Sequence, residues 1–486
     1  MMIKKILLAL AAIASLHMGG AVKIVVMSDI HSMAERLVEK PGEAFDRYAA
    51  SDMRMIKESA QVLRTAVSSI IASRPDLVLI SGDLTKDGER LSHEFVVAQL
   101  ERLRAHGIKA LVIPGNHDIS NANAQFFSGD KRHTAPTVTR DEFRQLYAHF
   151  GYDTAQQQPD TASLSYAAEP VEGLVVIGID SNRDEENLLK ARGDSVNTYH
   201  TAGRVKESTL RWIADRAREA RKQGKRVVAM MHHHLIEHFD GEARLLDKYV
   251  VADHEHVRNA LVAAGVHVIL TGHLHLSDIA RDYCGGDSIT EVATGSLVTY
   301  PFYYRTITIN ADSMSVDTHQ IKSVDTNTHL LADGKRQVEK AVPGLMNGMV
   351  NRLSARLDAM AGKLNSYLAI LGGGIGIDMG KMGKDMASAI RTEFSPLAPE
   401  AFIMLYEGNE GQNPKSAELL AKMEKAMESV LDKAFPSGAD EMVKGFIMEN
   451  AVPRAAAVLR SALEDRNHID TPQEVVVDDH TASFHF

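Results

Sequence analysis

Five short apolar runs recur along the chain, and each empties into a polar cluster. They are IVVMSDIH (Ile24–His31), LVLISGD (Leu77–Asp83), ALVIPGNHDI (Ala110–Ile119), VVAMMHHH (Val227–His234) and VILTGHLH (Val268–His275). Apolar runs of this length, bounded by turn residues, read as buried strands. Between the first three the apolar period lengthens. Ile56, Ala60, Leu63, Val67, Ile70 and Ile71 predict a helix over Met55–Ser73, stopped by Pro75. Gly88–Ala105 is also predicted helical, and Lys109–Ile113 is the next strand. Strand, helix, strand, helix, strand over Val22–Pro114 argues a largely parallel sheet with helical crossovers.

Further along, Ser32–Arg54 reads as a polar loop with one helical turn, and Asp118–Asp141 as a long loop. Glu142–Phe150 is a short helix, Leu164–Tyr166 and Leu174–Ile179 are strands, and Asp180–Thr201 is another polar loop. Val205–Lys222 is an amphipathic helix carrying the only tryptophan, Trp212. Thr290–Ala293 and Tyr304–Ile309 are strands of a second sheet. After about Val324 the composition changes to Ala, Met, Leu, Lys and Glu. Leu345, Met349, Leu353, Leu357, Met360 and Leu364 fall on one helical face, and helices follow near Lys381–Arg391, Lys415–Ala434 and Ala439–Leu463. Residues 325–486 are therefore expected to form an all-helical domain, or a helical extension packed on the first, after an α/β domain over 22–324. Gly372-Gly373-Gly374 interrupts the helices but is no phosphate-binding loop, because no Gly-Lys-Ser/Thr follows. His480 and His485 fall in an acidic tail expected to be disordered.

Composition narrows the class. Charged residues at 24% and apolar ones at 44% are ordinary for a globular protein, and the net charge of -10 gives no reason to expect nucleic-acid binding. Cys284 is the only cysteine, which excludes an intrachain disulfide and a cysteine zinc site. Residues 1–21 carry Lys4 and Lys5, the apolar run Ile6–Leu16 and then small residues. That run is too short for a membrane span and reads as a secretory signal, so the expected location is exported, periplasmic or secreted. No other stretch is long and apolar enough to cross a membrane.

The candidate chemistry sits where the strands end. In sheets of this kind, loops from distant parts of the chain meet at the strands' carboxyl ends. Five such loops would gather Asp29, His31, Asp83, Asn116, His117, His232, His273 and His275. These are too many donors for one ion, and a suitable N and O mix for two borderline divalent metals. His233 and His234 are read as pocket wall or as side chains packed behind the ligands. His238 is read as a substrate contact or a surface-loop residue, and His254 and His256 as a solvated first helical turn.

The series Asp29-x-His31, Gly82-Asp83, Gly115-Asn116-His117-Asp118, His232 and Gly272-His273-x-His275 resembles the calcineurin-like metallophosphoesterase superfamily, over about Val22–Val324. The resemblance implies a four-layer α-β-β-α sandwich, two facing sheets with helices outside. It implies one metal on Asp29, His31, Asp83 and His275, and a second on Asp83, Asn116, His232 and His273, with Asp83 bridging. The ions expected are Mn, Zn or Fe. Purple acid phosphatases, which resemble this set, place a tyrosine ligand where this chain has Lys86, so two divalent ions are expected rather than a ferric tyrosinate. The implied activity is that of a phosphodiesterase or phosphatase, with a metal-bridging hydroxide attacking phosphorus. His117 would protonate the leaving oxygen and Asp118 would orient it. The motif set is most similar to bacterial phosphodiesterases and phosphatases of this type, including the cyclic-nucleotide class. Choice between mono- and diesters lies in the loops Ser32–Arg54, Asn121–Thr139, Asp180–Thr201 and His233–Tyr249. The alternative, a non-catalytic binding scaffold on the same fold, would be marked by missing ligands, and none is missing.

Overall fold

The computed structural model describes residues 21–153, 158–187, 198–310, 313–370, 379–408, 410–434, 441–464 and 479–485. The expected signal segment lies outside these residues except for Ala21, and the glycine run at 372–376 lies outside them entirely.

The strands are β1 (Val22–Met27), β2 (Val38–Lys40), β3 (Leu77–Ile80), β4 (Lys109–Val112), β5 (Gln125–Ser128), β6 (Lys131–Thr134), β7 (Gln158–Pro159) and β8 (Tyr166–Val171). They continue as β9 (Leu174–Ile179), β10 (Arg226–Met231), β11 (Val268–Thr271), β12 (Asp278–Cys284), β13 (Asp287–Ala293), β14 (Tyr303–Ile309), β15 (Ser313–Gln320) and β16 (Thr481–His485). One sheet runs β16-β15-β14-β1-β3-β4 and a second β12-β13-β11-β10-β9-β8-β7. Within the sheets β1/β3/β4 and β9/β10/β11 pair in parallel through crossover helices, and β13 adds parallel to β11 by way of β12.

Successive side chains leave a strand on opposite faces. Ile24 and Val26 of β1 and Leu77 and Leu79 of β3 share one buried cluster with Val176, Val228, Met230 and Leu270 of the second sheet. Their neighbours Val25, Met27, Val78 and Ile80 point the other way, against Leu63 and Val67 of α2 (Ser59–Ser73, following α1, Glu43–Ala50) and Leu100 of α3 (Arg90–Ala105). On the far side, Val175, Ile177 and Ala229 pack on Leu210 and Ile213 of a helix at Glu207–Lys222. Both faces of these strands are therefore buried, which is why they read as unbroken apolar runs rather than as alternation. Each fully buried Val, Leu or Ile contributes about 1.5–3 kcal/mol.

Several local expectations need correction. Ser32–Arg54 is more than a loop with one turn: it holds α1 and β2, and β2 pairs with β5. The supposed loop Asp118–Asp141 contains the β5/β6 hairpin, whose polar second strand is exposed along its length. Strands β12 and β15 were not foreseen. The C-terminal tail is not disordered at its described end, since β16 pairs with β15 at the edge of the first sheet, and His480 bonds the Glu407 carbonyl.

The remaining helices are α4 (Arg140–Leu146), α5 (Glu207–Lys222), α6 (Glu242–Leu245) and α7 (His254–Ala264) in the body of the fold, then, after Val324, α8 (Leu330–Ile370), α9 (Met379–Ala389), α10 (Ala398–Glu407), α11 (Ser416–Ala434) and α12 (Glu441–Leu463). Of the latter group, α8 and α10 pack onto the α/β body. Val338 and Val342 of α8 and Ile403 and Tyr406 of α10 share a buried cluster with Phe239, Leu274, Leu276 and Ala293. Gln337 also donates to the Ala49 carbonyl at 3.1 Å. In the first turn of α7, His256 is exposed and its ring bonds Glu207, while His254 is half-buried. No helix of the described residues is long and apolar enough to cross a membrane.

Candidate dinuclear metal centre

The ends of β1 and β3 are locked side by side by backbone bonds. Asp29 N donates to the Gly82 carbonyl at 3.2 Å, and His31 N to the Asp83 carbonyl at 2.9 Å. Five non-glycine residues here have left-handed backbone: Asp29 (φ 48), His31 (φ 31), Asp83 (φ 50), His273 (φ 74) and His275 (φ 68). Such conformations cost about 1–3 kcal/mol each and persist where the surroundings over-determine them. Here each one turns a candidate ligand inward. The glycines before them leave room for those ligands. A Cβ at Gly115 would come within 2.1 Å of Asp83 Oδ1, and one at Gly272 within 2.4 Å of Asp29 Oδ2.

All eight sequence-predicted residues converge. Asp29, His31 and His275 form one group of ligand atoms, and Asp83, His232 and His273 another. His275 Nε2 lies 3.4 Å from Asp29 Oδ1 and 3.3 Å from His31 Nε2. Asp83 Oδ2 stands between the groups, 3.5 Å from His31 Nε2 and 3.3 Å from His232 Nε2. Asn116 Oδ1 is 3.0 Å from His232 Nε2, and the Asn116 amide donates to Tyr199.

Outer contacts orient the rings, as they do for histidine metal ligands. His232 Nδ1 donates to the Ser81 carbonyl at 2.9 Å, leaving Nε2 for the site. His273 Nε2 donates to the Lys248 carbonyl at 3.0 Å, leaving Nδ1. Asp29 Oδ2 accepts from Ser28 Oγ at 2.6 Å and His273 N at 2.8 Å. Asp29 Oδ1 is buried and has no hydrogen-bond donor among the described residues. An orphaned carboxylate oxygen facing two imidazole nitrogens is what a cation would satisfy. The residues present therefore fit two divalent ions.

The electrostatics agree. Burial raises the Asp83 carboxyl, but His232, His117 and His31 outweigh it and hold it well below the usual range. Burial, and then Arg54, keeps His31 well below the usual imidazole value, and burial with His233 does the same for His273. Ionised carboxylate and neutral imidazole are the forms that bind metal. His232 differs, since its burial is outweighed by Asp83, which lifts it to about 9, so a cation binding there displaces a proton.

Asp118 needs correction. Its carboxylate does not meet the His117 ring. It accepts from Leu84 N at 3.0 Å, Gly115 N at 2.8 Å, and Thr85 N and Oγ1 at 2.9 and 2.8 Å. It is a brace that ties the loop after β3 to the loop after β4. The partner of His117 is Asp87, whose Oδ1 is 2.8 Å from His117 Nδ1, with the Lys86 carbonyl at the same distance. Lys86, at the position of the purple acid phosphatase tyrosine, puts its ammonium on Asp87 at 2.7 Å. His233 is no pocket wall: it is buried between Ser181 and the Thr201 carbonyl, with its ring against those of His232 and His273. His238 is neither exposed nor in the cavity: it is buried against Asp278.

Sequence reasoning missed Arg54. Its guanidinium is gripped by both oxygens of Asp52, at 2.8 and 2.7 Å, and Nη1 lies 3.0 Å from His31 Nδ1. No motif marks it. Arg54 lines a cavity of about 410 Å³ together with the metal-site residues. The opposite wall comes from α8 and α10, through Leu345, Phe402 and Tyr406.

The profile of the calcineurin-like phosphoesterase family matches residues 22–277, more than half of the chain, and the chain belongs to that family. It is a phosphate-ester hydrolase with a site for two divalent metals. Among solved structures it is similar to a dimetal phosphatase from Danio rerio, at 16% identity and TM-score 0.41, over 62% of this chain and 97% of that one. It is also similar to a purple acid phosphatase from yellow lupin (Lupinus luteus) seeds, at 10% identity and TM-score 0.38, over 62% of this chain and 52% of that one. Likenesses this distant say nothing about substrate. No curated protein matches the chain.

Proposed function

We propose that the chain is an exported phosphoesterase acting on small phosphomono- or phosphodiesters, with Asp29, His31, Asp83 and His275 holding one ion and Asp83, Asn116, His232 and His273 the other. The observation that carries this is the position of Asp83 Oδ2, within 3.5 Å of imidazoles from both ligand groups. When bound, two divalent ions clamp a phosphoryl group and lower the pKa of water in the site. The chain's own residues do the rest. Arg54, fixed by Asp52, binds phosphate oxygens. His117, its ring fixed through Nδ1 by Asp87, gives a proton from Nε2 to the departing oxygen. Leu345, Phe402 and Tyr406 receive the apolar part of the alcohol, which favours esters of apolar or aromatic alcohols.

The same reading takes residues 22–324 as a four-layer α-β-β-α sandwich. Residues 325–486 are a helical domain that walls the pocket and returns its last strand to the first sheet. Export rests on the residues at 1–21. The test is turnover by the metal-loaded full chain on a panel of phosphomonoesters and diesters. Hydrolysis of at least one class is expected, and none on any phosphate ester would contradict the proposal.

A further inference from the structure

Beyond the dinuclear centre lies a second buried group of ligand atoms, formed by His234, His238 and Glu291. His234 and His238 stand on the loop after β10, and Glu291 on β13. All three are fully buried or nearly so. Glu242 Oε1 holds His234 Nδ1 at 2.8 Å, and Asp278 Oδ2 holds His238 Nδ1 at 2.7 Å. With the proton of each ring committed to Nδ1, each Nε2 presents a lone pair. Neither Nε2 makes a hydrogen bond among the described residues. His238 Nε2 lies 3.3 Å from Glu291 Oε1, and the three ligand atoms are all within 4.8 Å of one another. Glu291 is itself fixed: Oε2 accepts from Leu235 N at 2.9 Å and Ile236 N at 2.7 Å, and Oε1 accepts from Thr271.

Two occupants can satisfy such a cluster. A proton on His238 Nε2 bridges Asp278 and Glu291, and burial of that ring is outweighed by these two carboxylates, which hold it well above the usual imidazole value. Such a proton leaves His234 Nε2 buried without a partner among the described residues. A divalent cation satisfies both nitrogens and Glu291 Oε1 together. It also offsets the charge of Glu242, Asp278 and Glu291, three carboxylates set around two imidazoles. Imidazoles oriented from behind by carboxylates are the usual setting of histidine metal ligands.

We infer that His234, His238 and Glu291 hold a third divalent cation, separate from the catalytic pair and structural in role. Two imidazoles and a carboxylate suit zinc. The ion ties the loop after β10 to β13. His238 and Asp278 border a recess also lined by Leu405 and Ser461, so the site lies beneath the helices that wall the substrate cavity.

The test is zinc content of the full chain, stripped of metal, reloaded with zinc and desalted. Glu291→Gln and His238→Gln are each expected to hold one zinc ion fewer than the wild type. Equal zinc counts in all three proteins would overturn the inference and leave a proton bridging His238. The difference is independent of how many ions the catalytic centre takes. Should neither variant fold, anomalous scattering at the zinc edge from crystals of the wild-type chain decides. A peak between His234 and His238 is expected, and zinc found only elsewhere would overturn the site.

Discussion

His117 Nδ1 lies 2.8 Å from Asp87 Oδ1, and this contact sets which ring nitrogen faces the cavity. His117 Nε2 is 4.0 Å from Asp83 Oδ2, too far from it for a hydrogen bond, and its side chain is 18% exposed. General acid catalysis contributes about 10²–10⁴-fold. His117→Ala is therefore expected to lose about that factor on an alkyl phosphate ester and much less on an activated aryl ester, with metal content unchanged. Asp87→Asn should move the same way by a smaller factor. Steady-state rates on paired good and poor leaving groups check this. An equal loss on both would contradict the acid role.

Asp118 predicts a different phenotype. Removing its carboxylate strands three backbone N–H groups and the Thr85 hydroxyl in a buried site. Each unsatisfied group costs about 1–3 kcal/mol. Asp118→Ala should lower the unfolding free energy of the metal-free chain by several kcal/mol and weaken metal retention, as urea titration and metal analysis would show. Unchanged stability with a loss confined to poor leaving groups would return Asp118 to the acid machinery.

The difference between these two residues shows what a sequence can carry. Strands buried on both faces, such as β1, β3, β10 and β11, stand out as apolar runs, and the ligands follow them directly. The set of eight site residues was legible for that reason. The role of Asp118 was not, because adjacency in sequence says nothing about direction: its carboxylate turns to the Thr85 loop while His117 turns to Asp87. Arg54 and Asp87 belong to no motif and are identified only by what they touch. Strands β6, β12, β15 and β16 lie at or near sheet edges, where partial solvation permits polar residues and erases the apolar signal. The pairing of His238 with Glu291 spans two sequence regions that share no pattern.

A pH dependence of stability follows from His93 on α3. The residue is fully buried, with Nδ1 accepting from Tyr147 at 2.9 Å and Nε2 donating to the Asp118 carbonyl at 2.8 Å. Burial, with a smaller contribution from Arg90, lowers its pKa from 6.5 to about 4. The folded chain thus keeps His93 neutral while the unfolded chain takes up a proton first as pH falls. Its contribution is complete above pH 6.5 and is lost between about pH 6.5 and 4, to the extent of about 3 kcal/mol. Denaturant unfolding of the metal-free chain should show this slope in the wild type and a weaker one in His93→Gln. Identical pH profiles would contradict it.

The central claim is that phosphate-ester hydrolysis here depends on metal held between Asp29, Asp83, His232 and their neighbours. The measurement that tests it most directly is turnover of a phosphate ester by the full chain verified as metal-free, and by the same sample after Mn or Zn is restored. The account predicts no turnover above background in the first and recovery in the second; full turnover in the metal-free chain would contradict it.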